Sequence, residues 1–207
     1  MVAGSIAAAA ILPMAAGTAA ASSSASSAFP REVVTALAHL KATGSLSPTD
    51  RAALLRHPEV AAQVIEPQAD TSLHKTVASP ISTAKVKTGC RPVQDRYIVY
   101  KTLLGFKAFE WHNYLYYCIQ KGGKIKRVER KTYLKKSDGT NYRSGYKINS
   151  EVGNKTAHYS SAYEEAVKNC IVNPKGGAQL CTRINYPYSK FVVNGKTGKV
   201  TYYFRKG

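Results

Sequence analysis

Residues 110–131, EWHNYLYYCIQKGGKIKRVERK, predict a β-hairpin with two unlike arms. Gly122-Gly123 supplies the turn, and the second arm is crowded with Lys and Arg. Alternate positions of the first arm share one face of a strand: Phe109, Trp111, Asn113, Leu115 and Tyr117. We expect that face in a core, with Trp111 packed inside rather than exposed as a platform for sugars.

The strand pattern continues from Cys90 onward. Segments rich in aromatic and β-branched residues alternate with turn residues: VQDRYIVYK, AFEWHNYLYYC, KIKRVERKTYLKK, NYRSGYKI, AHYSSAY, AVKNCIV, QLCTRINY, KFVVNG and KVTYYFR. Roughly eight short strands with regular turns are typical of a sandwich or barrel. The sequence therefore predicts a mainly β fold, an antiparallel β-sandwich or small barrel.

A short helical hairpin is predicted over residues 29–67. Its first helix starts at Arg31 and stops at Gly44, because apolar residues follow helical spacing between them. Ser47 followed by Pro48, with Asp50 three residues after the cap, resembles a capping box and starts the second helix. Such a segment is either an arm of the fold or a propeptide.

The remaining boundaries follow from composition. Residues 1–28 predict a signal peptide, because an apolar Ala-rich stretch precedes small residues that fit an A-x-A cleavage pattern. Residues 68–89 are polar, without a sustained period, and predict a linker. Residues 90–207 form the predicted basic, disulfide-bonded β-domain. No membrane span is expected in the mature chain, which we expect to be secreted and extracellular.

Charge is distributed unevenly along the chain. The net charge is +18, and residues 85–207 carry 25 Lys and Arg against 7 Asp and Glu. The first 84 residues carry five of each sign. The whole positive excess therefore belongs to the β-domain, and it indicates anionic partners.

The four cysteines also lie in the β-domain. In an exported chain without a C-x-x-C pair they predict two disulfides rather than a metal site. If Lys175-Gly176 is the tip of a tight hairpin, residues whose numbers sum to 351 face each other. Cys170 then faces Cys181, which leaves Cys90 to bridge Cys118. This geometry selects one of three possible connectivities without excluding the other two.

The basic arm of the hairpin is the first candidate site. Residues 121–136 hold eight Lys and Arg against Glu129 alone, and interleaved tyrosines could add stacking. Residues of one parity, Lys124, Lys126, Arg130 and Lys136, would place a row of cations on one face of a strand. Such a row could bind anionic polymers of the cell envelope, polysaccharide or nucleic acid. The alternative is a solvated sheet face whose lysines prevent edge association. The residues assigned to polyanion binding are Lys124, Lys126, Arg127, Arg130 and Lys131.

A second hypothesis is a small secreted ribonuclease-like hydrolase. Glu110 and His112 are two apart on a strand and could act as a base and acid pair. A second acid or base would be needed, and His158 is the only other histidine of the β-domain. The alternative is two outward polar residues without chemical function.

Other function classes receive little support. No G-x-S-x-G, H-E-x-x-H, phosphate-binding loop or dinucleotide motif occurs, so neither a cofactor nor a metal is predicted. Cysteine nucleophiles are disfavoured because all four thiols have expected partners. An inhibitor or exported antagonist would need an exposed loop, for which the region near Pro174 is the candidate.

The order of the C-terminal segments resembles a group of secreted actinobacterial (Streptomyces-like) proteins with a four-cysteine β-domain. The resemblance rests on LLGFKAFEWHNYLYYC followed by GGKIKRV, on KNCIV, and on YPYSKFVVNGKTGKV. LSPTDRAALLRHPEVAAQV is similar to leaders in front of such domains. The resemblance implies an extracellular, disulfide-bonded β-domain and transfers no catalytic residue.

Overall fold

A computed structural model describes residues 29–67, 72–78, 88–135, 140–152, 157–173 and 179–207; the side chains at 78, 91–94 and 127 are not described. The predicted signal peptide and the loop near Pro174 lie outside these residues. The helices are α1 (Arg31–Thr43), α2 (Pro48–Leu55) and α3 (Pro58–Ala61). The strands are β1 (His74–Ala78), β2 (Gly89–Lys101), β3 (Lys107–Ile119), β4 (Ile125–Lys135), β5 (Asn141–Val152), β6 (His158–Val172), β7 (Gln179–Asn185), β8 (Tyr188–Asn194) and β9 (Lys199–Arg205).

The strands of the described residues form two antiparallel sheets. One has the order β1-β9-β8-β6-β5, with β7 paired to the far end of β6. The other has the order β2-β3-β4. The predicted mainly β, antiparallel fold is confirmed, and the two sheets have a sandwich-like layout.

The predicted inner face of β3 lies in the core. Trp111, Phe109 and Leu115 are fully buried. Leu115 packs in a cluster with Phe191 of β8. Trp111 donates a hydrogen bond from Nε1 to the buried carboxylate of Glu165 on β6, so the indole links the two sheets.

The first helix and the start of the second agree with the prediction. Gly44 caps α1 in a left-handed conformation with φ 72°. Ser47 and Asp50 form the capping box of α2. A cluster of buried side chains from the three helices includes Ile171 of β6, so the segment packs against the sandwich. No helix of the described residues is long and apolar enough to cross a bilayer.

Two strand predictions need correction. His74–Ala78, within the predicted linker, form β1, which pairs with β9. A stacking contact between His74 and Phe204, with ring centroids 5.0 Å apart, accompanies this pairing. Tertiary pairing therefore creates a strand without a sequence period. The segments AHYSSAY and AVKNCIV, predicted as two strands, are one continuous strand, β6.

The favoured disulfide connectivity is confirmed. Cys90 bonds to Cys118 and Cys170 bonds to Cys181. Each pair faces directly across two antiparallel strands, β2 and β3 in one case and β6 and β7 in the other. The rule that opposite residues sum to 351 holds from Cys170 to Val172.

Candidate functional site

Two hairpin turns meet at one end of the sandwich. They are the 3₁₀ turn Lys121–Gly123 between β3 and β4, and residues 195–198 between β8 and β9. A Cβ atom added at Gly195 would overlap the Gly123 carbonyl oxygen, and one added at Gly123 would lie 3.0 Å from Cα of Lys196. Glycine at both positions therefore permits the backbones to touch.

Local hydrogen bonds shape the β8–β9 turn. The Asn194 side-chain oxygen accepts from the backbone N–H groups of Lys196 (3.0 Å) and Thr197 (3.2 Å). The Gly195 N–H donates to the carbonyl of Ala157, 2.8 Å away, immediately before β6. The turn is thus held by its own side chain and by a neighbouring strand.

The contact between the turns gathers cationic side chains from two hairpins. We call this surface the lysine-rich end and define it as Lys121, Lys124, Lys196 and Lys199. All four residues are exposed, and none forms an ion pair with a described residue. Lys126 is exposed on β4, two residues beyond Lys124. The lysine-rich end is therefore a concentration of unneutralised positive charge.

The carboxylates of the β-domain are occupied elsewhere. Every described Asp or Glu side chain from residue 88 onward has a partner within the chain. The pairs are Asp95 with His112 and Tyr133, Glu110 with Lys107 and His112, Glu129 with Lys131, Glu151 with Tyr163, Glu164 with Arg205 and Lys147, and Glu165 with Trp111 and Arg143.

The predicted row of cations on one face of β4 is wrong, because β4 contains a bulge. Cys118 pairs with Lys126 while Tyr116 pairs with Glu129, so β4 has one residue more than β3 in this interval. The parity of outward positions changes there. Lys126 and Lys131 both face solvent, whereas Arg130 points inward and is 9% exposed.

The structure places the remaining residues of the predicted polyanion-binding set in different surroundings. Lys124 is exposed and belongs to the lysine-rich end, and Lys131 lies 3.7 Å from Glu129. The side chain of Arg127 and the whole of Lys136 lie outside what the structure describes. Only part of the predicted set therefore lies on a shared cationic surface.

Arg130 lies between the sheets instead. Its guanidinium donates to Ser161 Oγ (3.2 Å), Asn113 Oδ1 (3.1 Å) and Ser189 Oγ (2.6 Å). Its Cζ lies 4.6 Å from the ring centroid of Tyr163. Burial lowers the pKa of Arg130 to about 10. The residue connects both sheets and cannot reach an external polymer.

Glu110 and His112 lie on the outer face of β3, in contact with each other. Oε2 of Glu110 is 2.9 Å from Nε2 of His112, and Asp95 Oδ2 is 3.0 Å from Nδ1. The imidazole stacks between Tyr97 and Tyr133, with ring centroids 5.2 and 4.7 Å away, and His112 is 4% exposed. Sequence spacing correctly placed Glu110 and His112 on one face, but it did not predict this enclosure.

The enclosure limits what the pair can do chemically. Hydrogen bonds from Lys107 and His112 lower the pKa of Glu110 to about 2, so the group is a carboxylate at neutral pH. Both ring nitrogens of His112 already face carboxylate oxygens. His158 lies on β6 of the other sheet, opposite Asn194 beside the β8–β9 turn, whereas His112 lies on the outer face of β3. The structure does not bring the three predicted catalytic residues together.

Neither a metal ligand set nor a relative identifies the site. No group of three His, Cys, Asp or Glu side chains in the described ranges could hold a metal ion. No protein-family model, curated protein or solved structure matches this chain.

Sequence reasoning found the lysines of the β3–β4 turn but missed those of the β8–β9 turn. Their association depends on a backbone contact between two distant glycines, Gly123 and Gly195. The only feature of the sequence that points to this contact is that each of the two turns contains both glycine and lysine. That feature does not predict that the turns touch.

Proposed function

We propose that the chain is a secreted, non-enzymatic module that binds anionic polymers through the lysine-rich end. The observation that carries the proposal is the contact of the two glycine turns, which places four exposed, unpaired lysines at one end of the sandwich. Clustered ammonium groups attract a chain of closely spaced anions more strongly than the same groups dispersed over a surface.

The electrostatic balance of the β-domain supports this proposal. The described carboxylates are already satisfied by partners in the protein, so they do not neutralise the turn lysines. Small counterions must balance these charges in the free protein. A polyanion would instead contact several lysines at once, and its condensed counterions would be released to solvent. Binding should therefore weaken steeply as salt rises.

The direct test compares clustered with dispersed charge removal. One variant changes the lysine-rich end, Lys121, Lys124, Lys196 and Lys199, to Gln. The matched control changes four exposed or half-buried lysines elsewhere to Gln: Lys75, Lys101, Lys135 and Lys206. Both variants lose the same net charge, so retention on immobilised heparin and on inorganic polyphosphate is compared at several salt concentrations.

The proposal predicts that the clustered variant elutes at clearly lower salt than both the wild type and the dispersed control. Equal losses in the two variants would show that only overall charge matters. Circular dichroism and thermal unfolding confirm that each variant is folded. Arg130 is left unchanged in both variants, because its replacement would destabilise the core.

The hydrolase hypothesis has one supporting observation, the 2.9 Å contact of Glu110 with His112. The stacking of His112 between two tyrosines and its separation from His158 count against it. An RNA degradation assay tests it with His112→Ala and Glu110→Gln. Activity that disappears in both variants supports a hydrolase, while absent activity in the wild type removes the hypothesis.

Secretion is a separate part of the proposal. It is supported by the two disulfides and by the apolar small-residue pattern of residues 1–28. Mass spectrometry of protein recovered from culture medium should show the loss of residues 1–28 and a mass increase of about four hydrogens on reduction. Cell-retained protein with an intact N-terminus would contradict secretion.

A further inference from the structure

The larger sheet carries tyrosines and cations side by side on its outer face. Phe191 of β8 is buried in the core, so the residues that alternate with it point away from the core. Among these outward residues, Tyr188 lies opposite Arg205 of β9, and Lys190 lies opposite Tyr203. A tyrosine and a cation therefore alternate along each of the two strands and also across the pair.

A cationic side chain lies close to each of these two tyrosine rings. Nζ of Lys75, which faces Tyr203 from β1, is 5.9 Å from the centroid of that ring. Cζ of Arg205 is 5.3 Å from the centroid of the Tyr188 ring. Two more such pairs lie farther along the same face: Lys147 with Tyr186 at 4.8 Å, and Lys168 with Tyr142 at 5.9 Å. All four tyrosines are at least partly exposed, so a ligand can contact them from solvent.

Positive charge dominates this face. The outward cations of the described strands are Lys75, Lys147, Lys168, Lys190, Lys199 and Arg205. Glu164 is the only carboxylate that the register of the described strands places on the same face. It is 2% exposed and contacts Arg205 at 3.2 Å and Lys147 at 3.8 Å. Lys190 forms no ion pair with a described residue. The face therefore has an excess of positive charge that the described carboxylates do not neutralise.

The face is continuous with the lysine-rich end. Lys199 belongs to that end and is also the first residue of β9. Along β9, Lys199, Tyr203 and Arg205 point outward together over about 20 Å of strand. An anionic chain held by the lysine-rich end can therefore extend along β9 onto the tyrosines.

We propose that this face binds a single strand of nucleic acid, with bases stacked on Tyr188 and Tyr203 and phosphates beside the neighbouring cations. This inference rests on the proposed polyanion binding and names its polymer. Single-stranded nucleic acid presents planar bases together with phosphates, whereas polyphosphate and sulfated polysaccharide supply anions without an aromatic plane. Every base has such a plane, so the binding should depend little on sequence.

The test compares two oligomers that carry the same phosphates. One is a labelled oligothymidylate, and the other is an abasic deoxyribose phosphate oligomer of equal length. Their affinities for the full-length protein are measured by fluorescence anisotropy at one salt concentration. We expect the wild type to bind the oligothymidylate at least about tenfold more tightly, because stacking adds to the phosphate contacts. Tyr188→Leu with Tyr203→Leu should reduce this preference to less than about twofold and leave the affinity for the abasic oligomer nearly unchanged.

The matched control replaces two tyrosines on the outer face of the smaller sheet, Tyr97→Leu with Tyr114→Leu. It removes the same chemical groups and should retain the preference for the oligothymidylate. Equal affinities of the wild type for both oligomers, or equal loss of preference in the two double variants, would overturn the inference. Equal affinities that still fall when the lysine-rich end is changed to Gln would leave the proposed polyanion binding intact. Failure to bind either oligomer would refute both.

Photocrosslinking locates the bases without any variant. An oligonucleotide that carries 5-iodouracil is irradiated in complex with the wild-type protein, and the crosslinked peptides are identified by mass spectrometry. Crosslinks at Tyr188 or Tyr203 support the proposal. Crosslinks confined to other residues contradict it, even if a tyrosine variant is unstable.

Discussion

Arg130 connects the two sheets from inside the core. Its guanidinium contacts Asn113 on β3, Ser161 on β6 and Ser189 on β8, and all three side chains are almost fully buried. A buried cation is tolerated only where its donors are satisfied, and here hydroxyl, amide and backbone oxygens accept from it. The residue therefore contributes to folding rather than to recognition.

Arg130→Met is expected to lower the free energy of unfolding by roughly 2–4 kcal/mol, because it leaves buried oxygens without a donor. Lys131→Met removes the same charge from the exposed neighbour and should cost less than about 0.5 kcal/mol. Urea unfolding followed by tryptophan fluorescence measures both. A stable Arg130→Met protein with much weaker heparin retention than Lys131→Met would mean that the arginine faces a ligand after all.

Glu110 gives a prediction about acid stability. Lys107 and His112 lower the pKa of Glu110 to about 2 in the folded protein. Since the folded pKa is below the unfolded value of about 4.3, the ionised group stabilises the fold above that pH. This contribution disappears as the pH falls through about 2.

Glu110→Gln should therefore flatten the dependence of the urea midpoint on pH between about pH 5 and pH 2. Glu59→Gln, which removes an exposed carboxylate of α3, is measured in parallel as the control for the loss of one carboxylate. If the urea midpoint of Glu110→Gln falls below pH 5 as steeply as that of the wild type, the contacts of Glu110 with Lys107 and His112 do not persist in solution.

The two touching turns depend on glycine for different reasons. Gly122 has a φ of 82° and open space around its Cα, whereas Gly195 lacks space because it faces the Gly123 carbonyl oxygen. A methyl group at 122 strains only the local backbone. A methyl group at 195 pushes one hairpin away from the other.

Gly195→Ala should consequently destabilise the fold by roughly 1–3 kcal/mol and weaken polyanion retention without removing any charge. Gly122→Ala is the comparison, with a cost of about 1 kcal/mol from its left-handed backbone and unchanged retention at matched folded fraction. If Gly195→Ala folds normally and is retained like the wild type, contact between the turns is not needed for binding.

The helical segment should unfold together with the sandwich. Leu54 of α2 is fully buried in the cluster that also includes Ile171 of β6. Leu54→Ala should cost about 2–5 kcal/mol and shift a single unfolding transition, observed by both helix and tryptophan signals. Two separate transitions would indicate an arm that melts independently, as expected of a removable propeptide.

The successes and failures of sequence prediction have a common physical origin. Alternation in β3 was sufficient to predict its buried face, because the two-residue period survives wherever a strand is regular. The same logic failed for Arg130, because a bulge in β4 reverses the parity and leaves no mark in the side-chain pattern. The sequence did not predict β1, because an exposed edge strand has no buried face and therefore no alternation of apolar and polar residues.

The charge of the β-domain was predictable in amount but not in arrangement. Composition alone located the positive excess after residue 85. Which lysines lie together depends on the contact between Gly123 and Gly195, and on the internal partners that occupy the carboxylates. These are tertiary properties, so a residue count cannot distinguish a binding surface from an evenly charged exterior.

The most direct test of clustered charge is the salt dependence of binding to a short single-stranded oligothymidylate, measured by fluorescence anisotropy. The logarithm of the binding constant is plotted against the logarithm of salt concentration for the wild type and the two quadruple variants. The slope of this plot is negative, and each phosphate contact contributes about 0.7 to its magnitude. We predict that loss of the four lysines of the lysine-rich end reduces that magnitude by about 3, while the dispersed control reduces it by less than about 1. Equal slopes for the two variants would contradict the account.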